Sequence, residues 1–99
     1  MMSDEIPAIA IFEPLPGKEE DARETLRALL QLLASKSYSR DLLFHDPKKN
    51  RYFAIRYWTS DEARSRAHED PEVHACWAKL GHEINMIEVY ESVEQVGII

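Results

Sequence analysis

Histidine and aromatic side chains are the groups in this sequence that could carry chemistry, and they concentrate between residues 51 and 77. That stretch contains both tryptophans, the single cysteine and two of the four histidines, which are His45, His68, His74 and His82. No two histidines have the i, i+4 spacing of a helical ligand pair, and no compact carboxylate cluster accompanies them. Because metal sites need a fixed ligand geometry, we expect none here.

His68 is the strongest candidate for acid–base chemistry, because an imidazole titrates near neutral pH and suits proton transfer. Arg56 lies in an otherwise apolar segment, where it could hold an anionic oxygen or pair with Asp41 across a hairpin; the sequence leaves both open. The other aromatic and imidazole side chains would line a pocket only if a cavity lies between sheet and helices, and otherwise they pack as core. They are Phe12, Tyr38, Phe44, Tyr57, Trp58, His74, Trp77 and Tyr90.

Other catalytic motifs are absent from the sequence. Three glycines in all leave no glycine-rich loop for phosphate, and no serine stands in a strand–turn–helix elbow. Cys76 is two residues from His74, a spacing at which helical side chains point in different directions. It lies beside Trp77 on an apolar face, so we expect it to pack as a small hydrophobe.

Length and composition indicate one soluble globular domain over residues 1–99, with 44% hydrophobic and 30% charged residues. The net charge of −6 and the scattered basic residues argue against nucleic-acid binding. The first residues lack a basic segment, so we expect no signal peptide, and no apolar run is long enough to cross a membrane. A lone cysteine is typical of a reducing compartment, which predicts a cytoplasmic location.

Apolar spacing predicts four strands and three helices. Strands are expected at 6–13, 38–45, 51–58 and 84–91, and an acidic first turn begins a helix at 18–34. The helix carries an apolar stripe formed by Ala22, Leu26, Leu29, Leu30 and Leu33.

Capping residues place the remaining helices. Thr59 as N-cap with Glu62 fits a capping box, and Trp58 and Ala63 occupy the positions of a hydrophobic staple. This helix must be short, because Asp70 and Pro71 suit the N-cap and first position of a new helix. Gly81 is the expected C-terminal cap of that second helix.

The order strand, helix, strand, strand, helix pair, strand predicts an α+β fold of the ferredoxin-like βαββαβ type, an antiparallel sheet with helices on one face. The opposite face would also be apolar, since strands one, three and four carry large apolar residues on both sides. An exposed patch of that size is unusual in a monomer. We therefore expect a homodimer through the open sheet face, a dimeric α+β barrel.

Four short passages resemble a known family. They are Pro16-Gly17-Lys18-Glu19-Glu20, the strand 52–58, the segment 59–63, and Ala67-His68-Glu69-Asp70-Pro71. They are similar to the "PGKEEE", "EEWESEEA" and "AH..SPH" passages of the antibiotic biosynthesis monooxygenase family, and the resemblance covers nearly the whole chain. It implies a dimeric α+β barrel that oxidises quinol- or anthrone-like aromatic substrates with O2, without metal, flavin or other cofactor.

On that resemblance His68 would be the acid–base group, and Arg56 or Tyr90 would bind the substrate anion. Trp58 and Trp77 would form walls of the substrate site, with Phe12 and His74 as further contacts. The chain departs from the family pattern at residues 35–38, where a Pro-Gly-Cys-like turn is replaced, and at Arg56-Tyr57, which replace an acidic pair.

Two other functions remain open from the sequence. One is a non-catalytic dimeric barrel that binds a ligand or acts under stress, with a packed interior. The other is haem binding and degradation, the activity of a branch of proteins that shares this fold. It is disfavoured because this chain has Ala67 where that branch has its pocket tryptophan and Trp77 where it has its haem-ligand histidine. His74 lies one turn away from the second of these positions.

Overall fold

The computed structural model describes residues 4–97 and contains the four strands and three helices that the sequence predicts. Their order is β1 (Ile6–Pro14), α1 (Glu19–Ser35), β2 (Ser39–Asp46), β3 (Arg51–Trp58), α2 (Asp61–Glu69), α3 (Pro71–Gly81) and β4 (Ile84–Tyr90).

The strands form one antiparallel sheet in the order β2-β3-β1-β4. This is the expected ferredoxin-like α+β fold, with the long β1–β3 pairing at its centre. In that pairing Ala10 is opposite Ala54 and Ile9 is opposite Ile55. Because side chains alternate along a strand, Ala10 and Ala54 share one face of the sheet and Ile9 and Ile55 share the other.

The core lies between the sheet and the helices. Leu26, Leu29 and Leu33 of α1 are buried at helical spacing, as predicted, whereas Leu30 is only half-buried. They belong to one cluster with Val73 and Leu80 of α3 and with buried aromatic residues of the sheet. Among the aromatic residues, Phe12 and Tyr52 stack with ring centroids 5.6 Å apart.

The sheet face away from the helices is apolar. Ile9, Ile55 and Leu42 are in register across β1, β3 and β2, so their side chains share this face. Phe44 in β2 is 54% exposed and Leu42 is 45% exposed. We call this surface the outer face.

The N-cap of α2 is Ser60, so the prediction of Thr59 was wrong by one residue. Ser60 has an extended backbone, and its Oγ accepts a hydrogen bond from the Ala63 N–H at 3.0 Å. Thr59 instead donates its hydroxyl to the carbonyl oxygen of Ser37 at 2.8 Å, which ties the end of β3 to the turn before β2. With Ser60 as the N-cap, the N3 residue is Ala63 and the N′ and N4 residues are Thr59 and Arg64, so the predicted capping box and staple are both wrong, although Ala63 is buried.

Asp70 caps α3 as predicted and also joins that helix to the α1–β2 turn. Its Oδ1 accepts from the Glu72 N–H at 2.9 Å, while its Oδ2 accepts from Lys36 Nζ at 2.7 Å and from the Tyr38 hydroxyl at 2.8 Å. Hydrogen bonds from Lys36 and then Tyr38 lower the pKa of Asp70 to about 2. The α2–α3 break is therefore fixed by hydrogen bonds as well as by Pro71.

Neither the turn after α3, where Gly81 was predicted as the cap, nor the turn after α1 uses a glycine in the left-handed conformation. Gly81 is the last residue of α3, and the C-cap is His82, which has an ordinary right-handed backbone, so glycine does not supply a left-handed cap there. Ser37, after α1, has φ of +59°. It adopts the left-handed conformation that glycine normally takes at this position after a helix.

Acid should remove the stabilising effect of Asp70. The folded-state pKa of about 2 is below the ordinary aspartate value of 3.8, so the ionised carboxylate is favoured by folding. Its contribution is present above about pH 4 and is lost as the pH falls towards 2. We expect Asp70→Asn to lower the melting temperature by several degrees at pH 6 and by progressively less between pH 4 and pH 2.

Thermal unfolding followed by circular dichroism measures this difference. Asp61→Asn is the matched control, since Asp61 is an exposed first-turn carboxylate of α2. A difference between Asp70→Asn and the parent chain that stays constant from pH 6 to pH 2 would contradict the assigned role.

Candidate active site

A cavity of about 370 Å³ lies between the helices and the helix-facing side of the sheet. Six of the seven residues proposed from the sequence line it: Phe12, Arg56, Trp58, His68, Trp77 and Tyr90. The space between sheet and helices is therefore not filled by side chains. Its wall is largely apolar with a few polar groups, as in most small-ligand sites.

Small residues on the two central strands create the space. Ala8, Ala10 and Ala54 all line the cavity, and Ala10 is opposite Ala54 while Ala8 is opposite Arg56. Leu26, Leu29 and Leu30 of α1 line it from the helix layer. Three alanines on the helix-facing side leave the sheet and α1 separated by a gap that larger side chains would fill.

His68 lies in the last turn of α2, between the two tryptophans. Its ring centroid is 5.8 Å from that of Trp58 and 5.1 Å from that of Trp77. Its Nδ1 is 2.7 Å from the carbonyl oxygen of Arg64. Because a carbonyl only accepts, we infer that the neutral ring carries its proton on Nδ1 and a lone pair on Nε2.

Nε2 of His68 is available to a ligand, because no residue between 4 and 97 forms a hydrogen bond with it. The side chain is exposed, so the imidazole is at the mouth of the cavity rather than at its end. A neutral imidazole with a fixed tautomer and an available Nε2 is the arrangement of a general base.

Arg56 pairs with Asp41, which is one of the two alternatives left open by the sequence, and it also lines the cavity. Its Nε donates to Asp41 Oδ2 at 2.7 Å, and the Asp41 side chain is only 3% exposed. Ser39 Oγ donates to the other Asp41 oxygen at 2.7 Å. Only Nε of the guanidinium is used by Asp41, and its terminal nitrogens remain as donors for an anionic oxygen.

Trp58 lies next to both Arg56 and His68 in the cavity wall. The indole is 4% exposed, with the Arg56 guanidinium carbon 5.2 Å from its ring and the His68 ring 5.8 Å away. Trp58 is thus in contact range of both the cation and the imidazole. A planar aromatic ligand against this indole would be within reach of both.

Tyr90 and His74 are placed differently from expectation. Tyr90 is opposite Ile9 in the sheet, so its side chain is on the outer face, where its hydroxyl donates to the Glu88 carboxylate and the pKa of Tyr90 is raised. His74 is not in the wall: its Nε2 donates to the carbonyl oxygen of His68, and its ring contacts the edge of Trp77. His74 therefore supports two wall residues from behind.

Arg64 and Glu91 are polar wall residues that the sequence analysis missed. Arg64 is one turn before His68 on α2, and its guanidinium donates to Asp61 at 2.6 Å. Helical i, i+4 spacing from His68 was the signal that could have identified it. Glu91 follows the end of β4, in a segment whose position depends on long-range strand pairing.

Among residues 4–97, no group of three or more histidine, cysteine or carboxylate side chains is arranged to hold a metal ion. Over the same residues, no helix is long and apolar enough to cross a membrane.

The single antiparallel sheet, the helices on one side and the cavity between them define a ferredoxin-like α+β protein with an internal cavity. No protein-family model matches the sequence, and no curated protein sequence matches it. Solved structures do match.

SnoaB, a cofactor-independent oxygenase from Streptomyces nogalater, is 18% identical with a TM-score of 0.77, covering 95% of this chain and 98% of that one. A proposed antibiotic biosynthesis monooxygenase from Chloroflexus aurantiacus is also 18% identical, with a TM-score of 0.74 over 95% of this chain and 96% of its own. A third, proposed for the same function, comes from Bacteroides thetaiotaomicron: it is 8% identical, with a TM-score of 0.81 over 94% of this chain and 91% of its own. The chain has the fold of the antibiotic biosynthesis monooxygenase proteins, which confirms at the level of fold the resemblance found in the sequence.

Proposed function

We propose that this chain is a cofactor-independent monooxygenase that oxidises a quinol- or anthrone-like aromatic substrate with O2. The observation that carries the proposal is the cavity with the His68 imidazole in its wall. SnoaB, which shares the fold, is a cofactor-independent oxygenase, and this supports the same class of activity.

The proposed reaction begins with a proton transfer. His68 Nε2 takes a proton from the acidic position of the substrate, and the resulting carbanion or phenolate is held by the terminal nitrogens of Arg56. The electron-rich anion then combines with O2 to give a peroxide anion. The proton on His68 returns to this anion, and loss of water from the hydroperoxide leaves a new carbonyl group.

The apolar wall favours this chemistry. Trp58, Trp77 and the leucines of α1 exclude water from the ring that reacts, and the interaction of the substrate anion with Arg56 is stronger in such surroundings. Each substrate molecule consumes one O2, and both oxygen atoms are accounted for by the carbonyl and the released water.

Oxygen uptake by the purified chain tests the proposal. We expect menadiol or anthrone to consume O2 faster in the presence of the protein than without it, with no loss of rate after dialysis against a chelator. Denatured protein corrects for spontaneous oxidation. Saturable quenching of Trp58 and Trp77 by these compounds without faster O2 uptake would favour the non-catalytic ligand-binding barrel instead.

Haem is the weaker candidate ligand, because His74 is outside the cavity wall and its Nε2 is bonded to His68. An absorbance titration with haemin distinguishes the two. A Soret shift that is abolished by His74→Ala would show that this imidazole binds iron and would overturn the preference for a cofactor-free reaction.

We further propose that two copies of the chain pair through the outer face, as expected from the sequence. Ile9, Ile55 and Leu42 form a continuous apolar row across three strands of that face. A second copy would cover this row and the exposed Phe44, which a monomer leaves in water.

Replacing Ile55 with Lys should convert the dimer to a monomer, because a buried unpaired charge at the centre of the interface is strongly unfavourable. Light scattering after size exclusion should give twice 11.5 kDa for the parent chain and 11.5 kDa for the variant. Ala75→Lys adds the same charge on the exposed side of α3 and should remain dimeric. A monomeric parent chain, or a dimeric Ile55→Lys variant that is correctly folded by circular dichroism, would contradict the proposal.

A further inference from the structure

A second concave site lies outside the candidate active site, between α1 and the edge strand β2. Its volume is about 380 Å³, and besides Leu30 its lining comes from Arg23, Arg27, Gln31, Leu43, Phe44, His45 and Tyr52. We call it the α1–β2 groove. Leu30 borders both this groove and the cavity and is the one wall residue that they share.

The α1–β2 groove is cationic in a chain whose net charge is −6. Its charged lining consists of Arg23 and Arg27, which are one helical turn apart on α1. Among residues 4–97, no carboxylate oxygen lies within 4.0 Å of either guanidinium, although Glu20 attracts Arg23 from a longer distance. Like charges at i, i+4 oppose each other along a helix, so this pair does not stabilise α1.

Two of the donors that line the groove, Arg23 and His45, are held in place by contacts with other residues. Arg23 Nε donates to the Tyr52 hydroxyl at 2.7 Å, which fixes the guanidinium and leaves its terminal nitrogens available. His45 packs against the Tyr52 ring with centroids 4.5 Å apart. Its Nε2 is 2.9 Å from Asn50 Oδ1, and because an amide oxygen only accepts, Nε2 is the donor. Because the Tyr52 hydroxyl carries no charge, its hydrogen bond does not neutralise the Arg23 guanidinium, which can still attract an anionic ligand.

Apolar surface lies next to these cations. Leu43 of β2 is 37% exposed, although its position in register with Ala54 places it on the helix-facing side of the sheet. Leu30 and the Tyr52 ring complete an apolar floor. A ligand with an anionic head and an apolar body would cover the floor while its head meets the two guanidinium groups.

We propose that the α1–β2 groove is a second binding site, for a small apolar carboxylate. Arg27 and the terminal nitrogens of Arg23 bind the carboxylate, and Leu30, Leu43 and Tyr52 contact its hydrocarbon part. The planar guanidinium fork matches a carboxylate in a two-point contact, which favours this head group. The site is independent of the oxidation proposed for the cavity, since it contains neither His68 nor Arg56.

Octanoate is the probe for this site, and NMR of the His45 ring is the measurement. Octanoate should shift the His45 resonances saturably, and octan-1-ol, which lacks the charge, should shift them little at equal concentration. Arg27→Gln should weaken octanoate about tenfold, the loss of about one charge-assisted hydrogen bond. Arg66→Gln removes the same charge from α2, where Arg66 pairs with Glu62, and should not change the affinity.

Four outcomes would overturn the proposal. A shift of the Trp58 and Trp77 indole resonances by octanoate without a shift of the His45 resonances would place octanoate in the cavity. Octan-1-ol binding as tightly as octanoate would show that the arginines are not used. Equal weakening by Arg66→Gln and Arg27→Gln would reveal a general charge effect, and the absence of saturable binding would show that the groove has no such ligand.

Discussion

Replacing His68 with Asn should lower kcat/KM for substrate-dependent O2 uptake by about 10²- to 10⁴-fold, the usual contribution of a positioned general base. The Asn side-chain amide can keep the hydrogen bond that Nδ1 of His68 makes with the carbonyl oxygen of Arg64. What it removes is the Nε2 lone pair. The packing of Trp58 and Trp77 should change little, so the loss should be in kcat and not in substrate affinity.

His82→Asn is the matched control for this experiment. His82 is an exposed imidazole at the C-cap of α3 and does not line the cavity, so its loss should leave O2 uptake unchanged. Quenching of tryptophan fluorescence by a non-oxidisable aromatic ligand measures affinity in all three proteins. Full activity of His68→Asn, or equal losses in the two variants, would show that the proton is taken by another group.

Local sequence signals predicted the helices and strands well, because where such an element begins and ends depends mainly on residues close together in the sequence. Asp70 and Pro71 fix the break between α2 and α3 in the structure as they did in the sequence, since an N-cap followed by proline needs no distant partner. The N-cap of α2 was predicted one residue too early, because the choice between Thr59 and Ser60 depends on a distant contact. Both are good capping residues, and Thr59 is drawn away by the carbonyl oxygen of Ser37, a contact between residues 22 apart.

The candidate site could be predicted in part for the same reason. His68, Trp58 and Trp77 are distinctive residue types, and they do meet at the cavity. The alanines that make room for a ligand could not be recognised, because Ala10 and Ala54 matter only through their register across β1 and β3. That register is set by long-range pairing, which no local pattern encodes.

Arg56→Met should be the most destabilising single change at the site. It leaves the Asp41 carboxylate, which is 3% exposed, with only the Ser39 hydroxyl as a partner. Removing one partner of a buried ion pair costs roughly 3–5 kcal/mol, and the partial exposure of Arg56 favours the lower end, about 3 kcal/mol. For a domain of this size that corresponds to a fall of roughly 12–24 °C in melting temperature.

Asp41→Asn should cost less, because the Arg56 side chain is 18% exposed and its charge can remain hydrated at the cavity. The double variant Arg56→Met/Asp41→Asn should recover much of the stability lost in Arg56→Met, since no buried charge is left unpaired. Urea unfolding of the four proteins gives the coupling free energy directly. Additive effects of the two single changes would show that the pair contributes nothing beyond its separate residues.

The same variants separate stability from binding, because Arg56 belongs to both the ion pair and the cavity wall. Asp41→Asn removes the competing carboxylate and releases Nε, so an anionic aromatic ligand should bind more tightly even though the fold is weaker. Arg56→Met should weaken both binding and folding. Opposite signs for Asp41→Asn in the two measurements would identify the buried carboxylate as the group that limits the attraction of Arg56 for substrate. If Asp41→Asn weakens both, Asp41 instead acts by holding Arg56 in the position from which it binds the anion.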